Sequence, residues 1–119
     1  MASTPKRKIR ATLPPRLSKD RINAMIEEAI VDANDLSEQV GGFFTMIEQH
    51  LVCPFRTTVL GLPVTVESIE LNDGGQIVAL CSNARHRQAI SLMDLPRPAR
   101  PPIGAEWIDA YRHWLDLNG

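Results

Sequence analysis

SKDRINAMIEEAIVDANDLSEQVGGFFTMIEQHL, residues 18–51, decides how the first half of this 119-residue chain folds. Its apolar residues recur mostly at steps of three and four, the spacing that places side chains on one face of an α-helix. Ser18 or Asp20 can cap the first turn, and Pro54 cannot continue a helix. The pattern predicts one long helix over about residues 20–52. Gly41-Gly42 lies inside it and favours a bend, a break or the close approach of another backbone; we expect a bend.

Acidic side chains lie along the same predicted helix. Residues three and four apart are neighbours on a helix, so Glu28, Asp32 and Asp35 share one side and Glu38 continues the row one turn later. Like charges placed in this way repel by roughly a few tenths of a kcal/mol per pair. Either a bound cation offsets that repulsion, or the row is an ordinary solvated acidic face.

The apolar period changes from helical to alternating after Pro54. Alternating segments predict four short strands, over residues 55–60, 64–71, 76–81 and 87–92. Asn72-Asp73-Gly74-Gly75 accepts the positive φ that a tight hairpin turn needs. Four antiparallel strands joined by tight turns predict a small, strongly bent sheet or an SH3-like half barrel.

The remainder of the chain predicts a stiff connection and a final helix. Residues 96–102 read PRPARPP and favour an extended strap, because each proline removes a backbone donor. Beyond Gly104 the aromatic residues Trp107, Tyr111 and Trp114 return to helical spacing, and we expect their shared face to be core. The whole pattern predicts an α+β fold with a long N-terminal helix, a four-stranded antiparallel SH3-like half barrel and a short C-terminal helix.

Charge is distributed unevenly along the chain. Seven of the 13 basic residues lie in the first 21 positions beside a single acid, Asp20, whereas residues 22–119 hold 6 basic and 13 acidic residues. We expect residues 1–17 to form a disordered basic tail and residues 18–119 to form a single α+β domain. A solubilising tail is favoured over a nucleic-acid-binding arm, so we expect no nucleic-acid partner.

The sequence gives little support for a membrane span, an export signal, a catalytic motif or a zinc site. No apolar run approaches the ~20 residues that span a bilayer, and the start has no apolar signal segment, so we expect a cytoplasmic protein without a membrane partner. No nucleophile elbow, phosphate-binding glycine loop or H-E-x-x-H motif is present, and we expect no enzymatic activity. His50 and Cys53 form an H-x-x-C pair that Cys81 and His86 could complete as a zinc site, but free buried thiols are favoured.

A resemblance to a known family rests on six segments taken together. They are Glu27–Ala33, Glu38-Gln39, Gly42, Pro54-Phe55, Val59–Gly61 and Glu106–Trp114. In combination they resemble the small bacterial calcium-binding protein family first described in cyanobacteria. The resemblance covers roughly residues 21–114 and implies a helix packed on a small β-barrel, no EF-hand, and calcium held by acidic side chains.

Calcium chemistry then selects the candidate ligands. Calcium takes about six to eight oxygen ligands, and carboxylates, carbonyls and water all serve. One helical surface supplies some of them, and a loop such as the hairpin turn must complete the shell. The candidate metal ligands are Glu28, Asp32, Asp35, Glu38 and Asp73. The predicted function is a small cytoplasmic calcium-binding protein, a buffer or weak sensor; the alternative is a non-enzymatic module that binds a protein or nucleic acid and no longer binds calcium.

Overall fold

The computed structural model describes residues 18–118, so the predicted basic tail, residues 1–17, lies outside the described residues. Two helices come first, α1 (Lys19–Ala29) and α2 (Leu36–His50). Four strands follow: β1 (Phe55–Val59), β2 (Leu62–Leu71), β3 (Ile77–Asn83) and β4 (His86–Ser91). A 3₁₀ turn at Leu92–Asp94 and the proline strap lead to α3 (Ala105–Asn118). The predicted α+β class is confirmed.

The single long helix predicted over about residues 20–52 is wrong. α1 ends at Ala29, and α2 begins after Asp35, which has an extended backbone and caps the new helix by accepting the N–H of Glu38 at 2.8 Å. The apolar spacing continues across the break because both helices turn their apolar faces to the same core. Periodicity alone therefore could not reveal the break.

The glycine pair lies inside α2, which runs through it without interruption. A Cβ built on Gly42 would lie 2.0 Å from the carbonyl oxygen of Ala29, whereas nothing lies within 4 Å of one built on Gly41. Of the alternatives for this pair, the close approach of another backbone is therefore the one found. The end of α1 crosses α2 at Gly42 and is held against it.

The sheet is an antiparallel meander of order β1-β2-β3-β4, and each strand lies within two residues of its predicted ends. A register shift between Val66 and Ser68 places a bulge in β2, a feature that bends a sheet. Among residues 18–118, β1 pairs only with β2 and β4 only with β3, so the sheet is open. The SH3-like half barrel is not confirmed.

One hydrophobic core lies between the helices and the inner face of the sheet. Phe43 of α2 is fully buried, and its ring centroid lies 5.5 Å from that of Tyr111 and 5.3 Å from that of Trp114 on α3. The indole N–H of Trp114 donates to the side-chain oxygen of Gln39 at 3.1 Å, so its polar group is satisfied. The aromatic face of the C-terminal helix is core, as predicted.

Polar contacts fasten the proline strap, and the 3₁₀ turn that leads to it, to α3. The Arg112 guanidinium donates to the carbonyl oxygens of Leu92 and Leu95, and Arg97 forms an ion pair with Asp109. Burial lowers the pKa of the Arg112 guanidinium, and its bonds to carbonyl oxygens satisfy part of its donor set.

No helix within residues 18–118 combines the length and the apolar character that crossing a membrane would take.

Candidate metal site

The predicted acidic row is divided among three pieces of backbone. Glu28 lies in the last turn of α1, Asp32 lies in the turn between the helices, and Asp35 and Glu38 lie at the start of α2. All four residues are exposed. They do not form a single helical row, because the helix that would align them is interrupted over residues 30–35.

The start of α2 brings Asp35 and Glu38 together. Asp35 Oδ1 accepts the N–H of Glu38 at 2.8 Å, and Glu38 Oε1 accepts the N–H of Asn34 at 2.6 Å. This reciprocal arrangement is a variant of the capping box, and the partial positive charge of a helix N-terminus stabilises both carboxylates. The repulsion expected from the sequence is therefore offset, at these two residues, by backbone N–H groups.

Sequence reasoning missed this helix start although a signal for it was present. Asp35 and Glu38 have the D-x-x-E spacing of a capping box, placed directly before the apolar residues of α2. The continuous apolar period from residue 22 to residue 51 outweighed that signal. A cap inside a long periodic segment is evidence for two helices.

The fifth predicted ligand, Asp73, lies in the turn between β2 and β3. Asn72 organises that turn, since its side-chain oxygen accepts the N–H of Gln76 at 2.9 Å, and Asp73 is exposed beside it. Within residues 18–118, no three His, Cys, Asp or Glu side chains are gathered closely enough to hold a metal ion. The structure thus joins Asp35 to Glu38 and places Asp73 in a separate turn.

The carboxylates of the α1–α2 turn and of the start of α2 nevertheless have the donor chemistry that calcium prefers. Asp35 and Glu38 each keep a second oxygen for which the described part of the chain supplies no hydrogen-bond donor, and Asp32 is exposed between the helices. Backbone carbonyl oxygens and water can supply further ligands. The positive end of α2 opposes a cation, and an ion would have to draw the carboxylates together. The donor atoms are of the kind that calcium takes, but within residues 18–118 they are not gathered into a site.

The alternative zinc ligands are not gathered into a site in the described structure either. Cys53 is half-buried and Cys81 is buried, and both are free thiols. Burial raises the pKa of both thiols, which keeps them protonated and poor as metal ligands. His50 stacks on Trp107 with ring centroids 5.5 Å apart.

Two solved structures share this fold. The crystal structure of Anabaena CcbP matches with a TM-score of 0.67 and 19% sequence identity, covering 87% of this chain and 95% of that chain. A calcium binding protein in its calcium-binding form matches with a TM-score of 0.66 and 18% identity, covering 84% of this chain and 93% of that chain. No family model and no curated protein sequence matches the chain. The resemblance predicted from the sequence is confirmed in the fold.

Proposed function

We propose that this chain is a small calcium-binding protein without enzymatic activity, a buffer or weak sensor in the cytoplasm. The observation that carries the proposal is the fold that it shares with two solved structures, one of them a calcium binding protein in its calcium-binding form. The likeness extends over most of this chain and nearly all of each neighbour. The exposed carboxylates of the α1–α2 turn supply donors of the required chemistry.

The proposed ligands are the carboxylates nearest the break between the two helices. Asp35 and Glu38 would each offer the oxygen that does not cap α2, Asp32 would offer its free carboxylate, and Glu28 would approach from the end of α1. Asp73, in the β2–β3 turn, would be a fifth ligand that comes from outside the helices. Bound calcium would offset the negative charge of the α1–α2 turn. The start of α2 does not depend on calcium, because its capping hydrogen bonds already stabilise it.

Affinity should be low and selectivity should favour calcium over magnesium. The site has no regular ligand loop, and weak calcium modules bind at about 10⁻⁴–10⁻³ M. Magnesium requires near-ideal octahedral geometry and gives up its water reluctantly, so an irregular and exposed set of carboxylates suits calcium better. A site of this kind responds to large changes in calcium concentration.

Thermal unfolding in calcium and in magnesium tests the proposal. A ligand that binds only the folded state at ten times its Kd stabilises that state by about 1.4 kcal/mol, which raises the Tm measurably. The variant Asp32→Asn/Asp35→Asn/Glu38→Gln should abolish the calcium shift while the amide oxygens still cap the helix. Asp73→Asn measures the contribution of the fifth ligand.

The matched control removes three exposed acids elsewhere, Glu48 on α2, Asp94 after β4 and Asp116 on α3. The variant Glu48→Gln/Asp94→Asn/Asp116→Asn should retain the full calcium shift. If the triple variant and this control respond to calcium equally, the α1–α2 turn is not the site. If magnesium produces the same shift as calcium in the unmodified protein, the proposal of a calcium-selective site fails.

A further inference from the structure

The turn between β1 and β2 has two features that do not help the domain to fold: an unfavourable backbone conformation and exposed leucine side chains. Leu60 and Gly61 both have positive φ, 51° and 79°, a conformation for which a two-residue hairpin turn favours asparagine and glycine over leucine. Leu60 is also 97% exposed, and Leu62 is 59% exposed. Departures from local preference at one position are characteristic of functional sites. An apolar contact outside the domain would account for a leucine here.

A basic turn lies directly beside this apolar tip. The Asn83 side-chain amide donates to the carbonyl oxygen of Pro63 at 3.2 Å, which holds the β3–β4 turn against the start of β2. Arg85 in that turn and His86 and Arg87 at the start of β4 are exposed. Arg87 lies 3.6 Å from Glu67, but an ion pair between exposed side chains is weak. The leucine tip is therefore bordered by positive charge.

The register of the strands extends the positive charge across the outer face of the sheet. Arg56 pairs with Thr65, Thr65 pairs with Ser82, and Ser82 pairs with Arg87. Residues directly opposite one another in an antiparallel sheet share a face. The result is a row with an arginine at each edge and two hydroxyl groups between, all groups that donate to phosphate oxygens.

A groove beside β1 continues this row. It has a volume of about 570 Å³, within the range of ligand sites, and its lining includes Arg56, Thr58, Pro63 and Arg100. Neither Arg56 nor Arg100 has an ion-pair partner within residues 18–118. Pro63 borders both the groove and the leucine tip, so the two are one continuous surface.

The positive charge at this end is concentrated against the composition of the domain. Residues 22–119 hold 13 acids and only 6 basic residues, yet no acid occurs within residues 49–66 or 74–93. Five of those six basic residues lie at this end of the sheet or in the groove: Arg56, Arg85, Arg87, Arg97 and Arg100. Arg97 is paired with Asp109 and Arg87 with Glu67, so Arg56, Arg85 and Arg100 carry the charge that no acid within residues 18–118 pairs. This distribution favours a partner that carries negative charge.

We infer that this end of the sheet docks onto an anionic phospholipid surface. Leu60 and Leu62 enter the interface between headgroups and acyl chains, and the surrounding arginines bind lipid phosphates. A second copy of this chain is disfavoured as the partner, because the two basic ends would repel one another. The expectation that no membrane takes part rested on the lack of a spanning segment, and surface docking needs none.

Vesicle sedimentation with Leu60→Asn tests the inference. The full-length chain, in EDTA so that calcium plays no part, is mixed with phosphatidylcholine vesicles that contain a minority of phosphatidylglycerol. The unmodified protein should sediment with these vesicles and not with pure phosphatidylcholine, and added salt should weaken binding. Leu60→Asn should weaken binding roughly tenfold or more and raise the Tm, because asparagine suits the positive φ of this turn.

Two further variants make the result specific. Arg85→Gln should weaken binding about fivefold, the effect of one charge near an anionic surface, whereas Leu117→Asn, at a leucine of α3 that is 67% exposed, should leave it unchanged. Vesicle binding that Leu60→Asn leaves intact would overturn the inference, as would no binding to the anionic vesicles. A concentration-dependent dimer that Leu60→Asn dissolves would assign the tip to a second copy instead.

Discussion

Alanine substitutions at the two adjacent glycines of α2 should have opposite effects on stability. Both replacements remove the same cost of a glycine inside a helix, about 0.5–1 kcal/mol each. At Gly41 nothing lies within 4 Å of the new methyl group, so Gly41→Ala should stabilise the protein by about that amount. At Gly42 the methyl group would lie 2.0 Å from the carbonyl oxygen of Ala29, roughly 1.5 Å short of ordinary contact.

The contact at Gly42 cannot be relieved by a side-chain rotation, because the obstructing atoms are the backbone of α1. The end of α1 would have to move away from α2, and overpacking of this kind costs about 1–3 kcal/mol. The helix-propensity gain is common to both variants and cancels in the comparison. We therefore expect Gly42→Ala to be less stable than Gly41→Ala by about 2–3 kcal/mol, near the upper end of that range.

Thermal unfolding followed by far-ultraviolet circular dichroism measures the difference directly. For a domain of this size, 1 kcal/mol shifts the Tm by roughly 4–8 °C, so the two variants should differ by roughly 10 °C or more. Equal Tm values, or a Gly42→Ala variant that is the more stable, would contradict the packing of α1 against Gly42. Backbone amide shifts at Ala29 should also move in Gly42→Ala and stay in place in Gly41→Ala.

Three further predictions follow from other parts of the fold. Gly104→Ala should lower the free energy of unfolding by about 3 kcal/mol or more in urea, because Gly104 has φ +92° and its Cβ would lie 2.1 Å from the carbonyl oxygen of His50; a variant of ordinary stability would contradict this. Asp35→Ala should destabilise by about 1 kcal/mol in the same assay and Asp35→Asn by much less, since asparagine caps as well as aspartate; equal losses would exclude the cap. Burial raises the pKa of the Cys53 and Cys81 thiols, so near neutral pH both should react with a disulfide reagent more slowly in the folded than in the unfolded protein. The rate in the folded protein should rise with pH, and equal rates in the folded and unfolded protein would refute this.

The sequence predicted the sheet better than the helices, for a physical reason. Alternation and turn chemistry are local, so Asn72 and the glycines of the β2–β3 turn mark a hairpin without knowledge of the rest of the fold. The break between α1 and α2 depends on tertiary packing. Two short helices that face one core keep the same apolar spacing as one long helix, and Gly42 could be recognised as a contact only once α1 lay against it.

The candidate site shows the same limit. The acidic residues were found by composition and spacing, but their relation to one another depends on where the helix ends. Asp35 and Glu38 lie close together because both bond to backbone N–H groups at the start of α2. Asp73 lies in a hairpin turn that the sequence predicted, but its place relative to α2 depends on the tertiary fold. The outer-face row from Arg56 to Arg87 was also beyond prediction, because it depends on the register of all four strands.

The measurement that tests calcium binding most directly is a calcium titration followed by the backbone amide NMR signals of the full-length protein. We expect millimolar calcium to shift the signals of residues 28–38 progressively and to saturate, and equal magnesium to leave them in place. The signals of α3 should stay unchanged, since it lies outside the proposed ligand set. Signals of residues 28–38 that do not respond to calcium, or that respond equally to magnesium, would contradict the proposed function.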